Sequence, residues 1–145
     1  MPIQILHAAD FHLDAPFASL NAEQAAERRG EQRELLARLA ELARSRRADL
    51  VLLSGDLFDG GELYAETGQA LVRTLGQTGC PVFIAPGNHD FYSARSPYAR
   101  LAWPDNVHLF RRAGLTPVEL EGKACTVWGA AFTAPAREDS PLAGF

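Results

Sequence analysis

The chain has 145 residues, of which 47% are hydrophobic and 22% charged, and its formal net charge at pH 7 is −4. This length and composition suit one globular domain with a hydrophobic core, and they exclude a disordered chain. The acidic balance argues against a free-standing basic DNA-binding module, so any contact with nucleic acid is expected to be local.

Targeting and redox features are absent from the sequence pattern. No stretch approaches about 18 uninterrupted apolar residues, and the first residues lack a cationic region before an apolar one, so we expect a cytoplasmic protein without a membrane span. Cys80 and Cys125 lie far apart, outside any metal-binding or redox spacing. We therefore interpret both as buried free thiols.

The first half of the chain alternates apolar runs with a long amphipathic segment. Residues 3–9 are predicted to form a strand, and residues 21–47 a crossover helix that Asn21 can cap. Gly30 lies inside that segment and is a candidate break between two helices. Three leucines at helical spacing predict the apolar face of the helix: Leu35, Leu39 and Leu42.

Two further strands and one helix follow. Residues 50–54 and 82–85 are predicted strands, and residues 63–75 a helix between them. Each crossover has room for one helix, so the βαβαβ order favours a parallel sheet with right-handed connections. The fold class is therefore α/β.

Beyond this unit the pattern becomes shorter and richer in strands. Residues 96–101 are expected to form a helical turn, and residues 107–110 a short strand. Residues 117–120 and 124–131 are expected to pair as a hairpin. From 133 to 145 the sequence is typical of a loop or tail.

Polar motifs follow each of the first three predicted strands. They are Asp10-Phe11-His12, Gly55-Asp56-Leu57-Phe58-Asp59 and Gly87-Asn88-His89-Asp90. Open parallel sheets bind ligands at the carboxyl ends of their strands. We therefore expect the three motifs to line one edge of the sheet.

These motifs combine residue types that bind transition metals. Asp10 and His12 are two apart, so an extended segment would project both side chains to one side. The Asp56 carboxylate has two oxygens that can bridge two ions, and Asn88 offers an amide oxygen. A mixed set of carboxylate, imidazole and amide suits Mn²⁺, Fe²⁺ or Zn²⁺ better than Ca²⁺ or Mg²⁺.

Such a site predicts phosphoester hydrolysis. Two cations about 3.5–4 Å apart would clamp a phosphate and generate a hydroxide for in-line attack. His89 would stabilise or protonate the developing oxyanion if Asp90 orients its ring. Asp59 either supports the metal ligands or caps the next helix, and Asp14 is equally compatible with a cap or loop role.

The three motifs resemble the first signatures of the calcineurin-like metallophosphoesterase superfamily, which are Asp-x-His, Gly-Asp-x-x-Asp and Gly-Asn-His-Asp. The resemblance implies a sandwich of two sheets flanked by helices (α/β/β/α), of which this chain would supply one sheet and the start of the other. It also implies that Asp10 and His12 hold a first metal, typically Mn²⁺. Asp56 would then bridge both metals and Asn88 would hold the second, while His89 with Asp90 assists the leaving group.

Residues around the motifs make the resemblance more specific within the superfamily. The segments 7–17 and 96–98 resemble bacterial DNA-repair exonucleases of the SbcD and YhaO type. This implies a Mn²⁺-dependent DNA exonuclease or endonuclease. It also implies a homodimer that works with an SMC-like ATPase.

The sequence departs from the superfamily pattern in its histidines. The family pattern continues with a lone His and a Gly-His-x-His, whereas this chain has only His7, His12, His89 and His108. The first metal would then have three protein ligands and the second two. We therefore expect residues 1–145 to be the N-terminal portion of a longer nuclease domain, poorly active alone.

Two alternatives remain open. The same metal site would serve a phosphodiesterase or phosphatase acting on a small nucleotide or a phosphoprotein. A catalytically incomplete interaction module would keep the three motifs without turnover.

Overall fold

Strands and helices alternate through the first half of the computed structural model, which describes residues 2–143 and 145. The predicted βαβαβ order is confirmed, and the helical turn, the fourth strand and the hairpin follow it as expected. In chain order the elements are β1 (Ile5–Ala8), α1 (Ala22–Ser45), β2 (Leu50–Ser54), α2 (Ala65–Gly76), β3 (Val82–Ala85), α3 (Pro97–Arg100), β4 (Val107–Leu109), β5 (Thr116–Glu119) and β6 (Thr126–Gly129).

The first four strands form one parallel sheet in the order β1-β2-β3-β4. The two central strands are apolar along nearly their whole length, as expected for strands covered on both faces. Because the strands are parallel, the loops after β1, β2 and β3 leave the same edge. The predicted α/β class and the common edge are thus confirmed.

Helix α1 covers one face of this sheet as a single helix that runs through Gly30 without a break. Its expected apolar face needs correction, because Leu35 and Leu42 are 51% and 41% exposed. Of the three leucines expected on that face, only Leu39 is buried. The buried stripe follows the i, i+3, i+4, i+7 pattern of a helix packed on a core, and its members are Leu36, Leu39, Ala40 and Ala43.

Side-chain oxygens satisfy the amino ends of the two long helices. The Asn21 side chain accepts a hydrogen bond from the Gln24 backbone N–H at 2.9 Å, which confirms the predicted cap of α1. Tyr64 precedes α2 but makes no side-chain cap. Instead Asp14 accepts from the Tyr64 N–H and the Thr67 hydroxyl, at 2.8 and 2.7 Å.

The β5–β6 hairpin is antiparallel, as predicted, and covers the opposite face of the sheet. A second apolar cluster joins the two layers, with Leu50, Phe83, Phe110 and Leu120 at its centre. The hairpin approaches closely because Gly129 has no side chain, and a Cβ at this position would overlap the Phe110 ring. Three layers result, α/β/β, which matches the first part of the sandwich expected from the resemblance.

The remaining expectations concern the tail, the thiols and membrane crossing. Residues 133–143 contain no helix or strand. Both cysteines are free thiols as expected and Cys80 is buried, but Cys125 is only half-buried, which corrects the expectation that both would be buried. Within the described residues, no helix combines the length and apolar character that crossing a bilayer requires.

Candidate metal centre

The loops after β1 and β2 run side by side beyond the ends of their strands. The Asp10 N–H donates to the Gly55 carbonyl at 3.2 Å, and the His12 N–H donates to the Asp56 carbonyl at 3.0 Å. A parallel bridge between Leu13 and Phe58 closes this segment. Backbone hydrogen bonds therefore fix the first two motifs relative to each other.

The backbone of these motifs is not extended, contrary to the expectation for Asp10 and His12. Their φ angles are 56° and 46°, and that of Asp56 is 49°. Residues with side chains rarely adopt this left-handed region, and they cluster there at functional sites. The two side chains still converge, but the turn geometry brings them together instead of strand alternation.

Three potential ligand atoms meet at this edge of the sheet. Atoms of Asp10, His12 and Asp56 all lie within 4.8 Å of one another. The Asp10 side chain is 73% exposed and that of His12 32%, so an ion or substrate can approach from solvent. Two carboxylates and an imidazole fit a divalent transition metal.

Asp59 orients the imidazole of His12. Its Oδ1 lies 2.9 Å from His12 Nδ1. In the tautomer that carries its proton on Nδ1, the ring donates to this carboxylate and leaves Nε2, which lies 4.0 Å from Asp10 Oδ1, available to a metal ion. A carboxylate behind a metal-binding histidine fixes the ring and its tautomer. The contact therefore fits one of the two roles expected for Asp59, namely support of a metal ligand.

The third motif approaches the second through a glycine. A Cβ built on Gly87 would lie 2.5 Å from the Asp56 backbone nitrogen and would also overlap the Asp56 carboxylate. The His89 N–H then donates to Asp56 Oδ1 at 3.0 Å. Only glycine permits this contact between the two loops.

His89 and Asn88, in the loop of the third motif, are both exposed. The His89 ring lies beside that of His12, with centroids 5.2 Å apart and the planes at 79°. The third loop therefore presents its imidazole next to the clustered donors.

Asp90 does not hydrogen-bond to His89, so the expected orienting role needs correction. The carboxylate is 2% exposed; Oδ1 accepts from the Gly87 N–H at 2.7 Å and Oδ2 from the Phe58 N–H at 3.0 Å. The Tyr98 hydroxyl also donates to Oδ2. Burial, followed by the nearby Asp90 charge, raises the pKa of Tyr98 well above its usual value, so the phenol remains a donor.

Tyr98 is a residue that sequence reasoning did not assign to the site. It lies within the segment 96–98, which contributed only to the resemblance. Through Asp90 it anchors the third loop to the second, and its ring packs against Phe58. No local pattern indicates a hydrogen bond between Asp90 in the third loop and Tyr98 in α3, eight positions further along the chain.

The remaining histidines lie elsewhere. His7 is exposed on β1, and His108 on β4 packs against Phe83 and Phe110 on the hairpin side of the sheet. Burial, with a smaller effect of the Arg111 charge, lowers the pKa of His108. Neither joins the clustered donors, as expected.

The fold and the site together define a class of protein: an α/β domain with a candidate divalent-metal centre at the carboxyl ends of parallel strands. Within this class, the model of the calcineurin-like phosphoesterase family matches residues 3–129, and the chain belongs to that family. The resemblance drawn from the three motifs is confirmed.

Several curated proteins are similar to the chain. It is 32% identical over 117 residues to the "Uncharacterized metallophosphoesterase YhaO" of Bacillus subtilis (strain 168), which covers 77% of this chain and 28% of the relative. It is 36% identical over 91 residues to a subunit of the nuclease SbcCD of Escherichia coli (strain K12), covering 61% and 21%. The "DNA double-strand break repair protein Mre11" of Aeropyrum pernix is 40% identical over 95 residues, covering 63% and 22%. The chain thus spans between 21% and 28% of the length of these relatives.

Proposed function

We propose that the chain contributes to metal-dependent hydrolysis of phosphodiester bonds in DNA, as an exonuclease or endonuclease. The observation that carries this proposal is the convergence of Asp10, His12 and Asp56 beside an exposed His89. Two of the similar proteins are named as part of a nuclease and as a DNA double-strand break repair protein, which supports DNA as the substrate.

The donor set suggests how two divalent ions would be held. Asp10 and His12 would bind the first, Asp56 both, and Asn88 the second. We propose Mn²⁺ as the native ion, with Fe²⁺ and Zn²⁺ as alternatives for the same donors. Bound ions would supply the Lewis acid that neutralises phosphate charge and makes water nucleophilic at neutral pH.

His89 is proposed as the catalytic residue that donates a proton towards the leaving oxygen. Its exposed ring beside His12 suits this role, since a general acid must reach the substrate. Asp90 is proposed as a positioning residue only, because its buried carboxylate holds the loop that carries His89. The Asp59 carboxylate keeps His12 in the tautomer that leaves Nε2 available.

The test combines metal binding with a substrate panel. Calorimetric titration with Mn²⁺ is followed by assays on single-stranded DNA, duplex DNA, bis-p-nitrophenyl phosphate and the monoester. Asp56→Ala is expected to abolish tight Mn²⁺ binding and cleavage of diesters, whereas Asp105→Ala, at an exposed aspartate outside the site, should leave both unchanged. Cleavage of the monoester alone would instead favour a phosphatase or small-nucleotide enzyme.

The geometry also favours low turnover by the isolated chain. Among the described residues, only three histidine or acidic donors cluster at the site, and His7 and His108 lie away from them. Fewer charged ligands at the second ion would weaken its binding. Tight binding of two Mn²⁺ ions per chain with robust DNA cleavage would refute this part of the proposal, whereas metal binding without cleavage would favour the incomplete module.

The partners of the chain are also proposals. One similar protein is named as a subunit of a nuclease, which supports an assembly with other chains. We propose an SMC-like ATPase and a second copy of this chain as the partners. Light scattering and co-purification of the chain would test both.

A further inference from the structure

A cleft of about 600 Å³ opens beside the candidate metal centre. Asp59, which hydrogen-bonds to His12, and Asp14, two residues beyond His12, both form part of its wall, so the cleft adjoins the loop that carries this candidate metal ligand. The loop 60–62 forms another part. Side chains at Gly60 and Gly61 would meet nothing within 4 Å, which shows how open this wall is.

Tyr64 is the aromatic residue that lines this cleft, and it is 59% exposed. The guanidinium carbon of Arg29 lies 5.3 Å from the centroid of its ring. Arg29 does not line the cleft, so it meets the ring from a different direction. A cation over one face of an aromatic ring holds the ring in place, and the opposite face is then the one left for a stacking partner.

The backbone of Tyr64 is tied to the first motif. Its N–H donates to Asp14 Oδ2 at 2.8 Å, and Asp14 Oδ1 accepts from the Thr67 hydroxyl at 2.7 Å. Asp14 lies two residues beyond His12. The loop that carries a candidate metal ligand therefore also fixes the start of α2, and with it the position of the ring.

The charges of the cleft favour a neutral group over a phosphate. Asp14, Asp59 and Glu62 line it, against one cation, Arg100, whose guanidinium donates to the Gly61 carbonyl at 3.0 Å. Carboxylates repel phosphate oxygens, but they accept hydrogen bonds from the amino groups of nucleobases. A flat aromatic wall with acidic rims suits a base.

We propose that Tyr64 is a stacking platform for an unpaired nucleobase of the strand whose phosphodiester lies at the metal centre. This inference rests on the proposed function and deepens it, because it names a residue of this chain that would contact a base of the substrate. Stacking on an aromatic side chain is tolerant of sequence, since every base has a π-face. A base held in a duplex could not enter the cleft.

Binding of a nuclease-resistant oligonucleotide tests the assignment. A phosphorothioate single strand containing 2-aminopurine is titrated in Mn²⁺, and both its fluorescence and its Kd are recorded. Tyr64→Ala is expected to weaken binding about 5- to 100-fold and to abolish the quenching of 2-aminopurine. Tyr64→Phe keeps the ring and should retain both, and Trp128→Ala, at an exposed aromatic on the hairpin, should change neither.

The outcomes separate this inference from the function on which it rests. Circular dichroism and Mn²⁺ affinity report whether Tyr64→Ala folds with an intact metal site. The alanine keeps the backbone N–H that donates a hydrogen bond to Asp14. Equal affinity and quenching for Tyr64→Ala and the parent would overturn the stacking platform while leaving DNA hydrolysis standing. Preference for duplex over single strand, or no oligonucleotide binding by the parent, would also overturn it. A complete absence of metal-dependent DNA cleavage by the parent would separately refute the function.

Discussion

At the scale of single residues, the site depends on contacts that fix side-chain orientation. His12 is useful as a metal ligand only if its Nε2 is unprotonated and points towards the other donors. The contact with Asp59 at 2.9 Å, on the Nδ1 side of the ring, favours the tautomer that leaves Nε2 available. The two residues are 47 positions apart, so only the folded chain creates the pair.

Replacement of this supporting carboxylate is expected to weaken metal binding. Asp59→Asn should lower Mn²⁺ affinity about 10- to 100-fold, because a neutral amide no longer favours the required tautomer. Calorimetric titration measures the effect. Asp105→Asn, which changes an exposed aspartate outside the site, should bind Mn²⁺ like the parent, and an equal affinity for Asp59→Asn would show that Asp59 does not support the ligand.

Individual residues also show where motif reasoning reaches its limit. The motifs indicated Asp10, His12 and Asp56 as neighbours, because each follows a strand of the same sheet. The role of Asp90 could not be read in this way, since burial and two backbone N–H groups decide what its carboxylate does. Tyr98 was missed for the same reason.

At the scale of elements, the sequence predicted the order of strands and helices well. Apolar runs ending in polar motifs located β1, β2 and β3 to within a few residues. The orientation of α1 was predicted less well, because leucines occur on two of its faces. Contact with the sheet selects the face that contains Leu36, and Leu35 remains 51% exposed.

Two neighbouring leucines therefore provide a matched test of the helix orientation. Leu36→Ala is expected to lower the free energy of unfolding by about 2–5 kcal/mol, because it leaves a cavity in the core. Leu35→Ala should change it by less than about 0.5 kcal/mol, as for most surface sites. Urea denaturation gives both values, and a larger loss for Leu35→Ala would mean that the helix packs through the other face.

At the scale of the whole molecule, the hairpin is attached to the sheet by packing and by an ion pair. Lys123 in the hairpin turn lies 2.6 Å from Asp49, which precedes β2. Asp49 also accepts the Gln4 N–H at 2.8 Å. The backbone hydrogen bond, followed by the Lys123 contact, lowers the pKa of Asp49 below its usual value.

This lowered pKa gives the attachment a pH dependence. A carboxyl group with a lower pKa in the folded state stabilises the fold above its unfolded pKa, and the stabilisation is lost as the pH falls through the folded pKa. Asp49→Asn should therefore lower the Tm at pH 7, and the difference from the parent should shrink as the pH falls below the usual carboxyl range. Thermal melts across pH measure this, and a difference independent of pH would exclude the ionised pair as its cause.

The sequence by itself determined the α/β class, the order of strands and helices along the chain, and the three motifs at one sheet edge, because these follow from local periodicity and from the geometry of parallel crossovers. The tertiary structure alone decided how the motifs act together. Left-handed backbone at Asp10 and His12, the missing Cβ of Gly87 and the anchoring of Asp90 by Tyr98 all depend on chain segments meeting in space. Hydrophobic patterning is local and readable, whereas contacts between distant loops arise only when the packed core brings them within hydrogen-bonding distance.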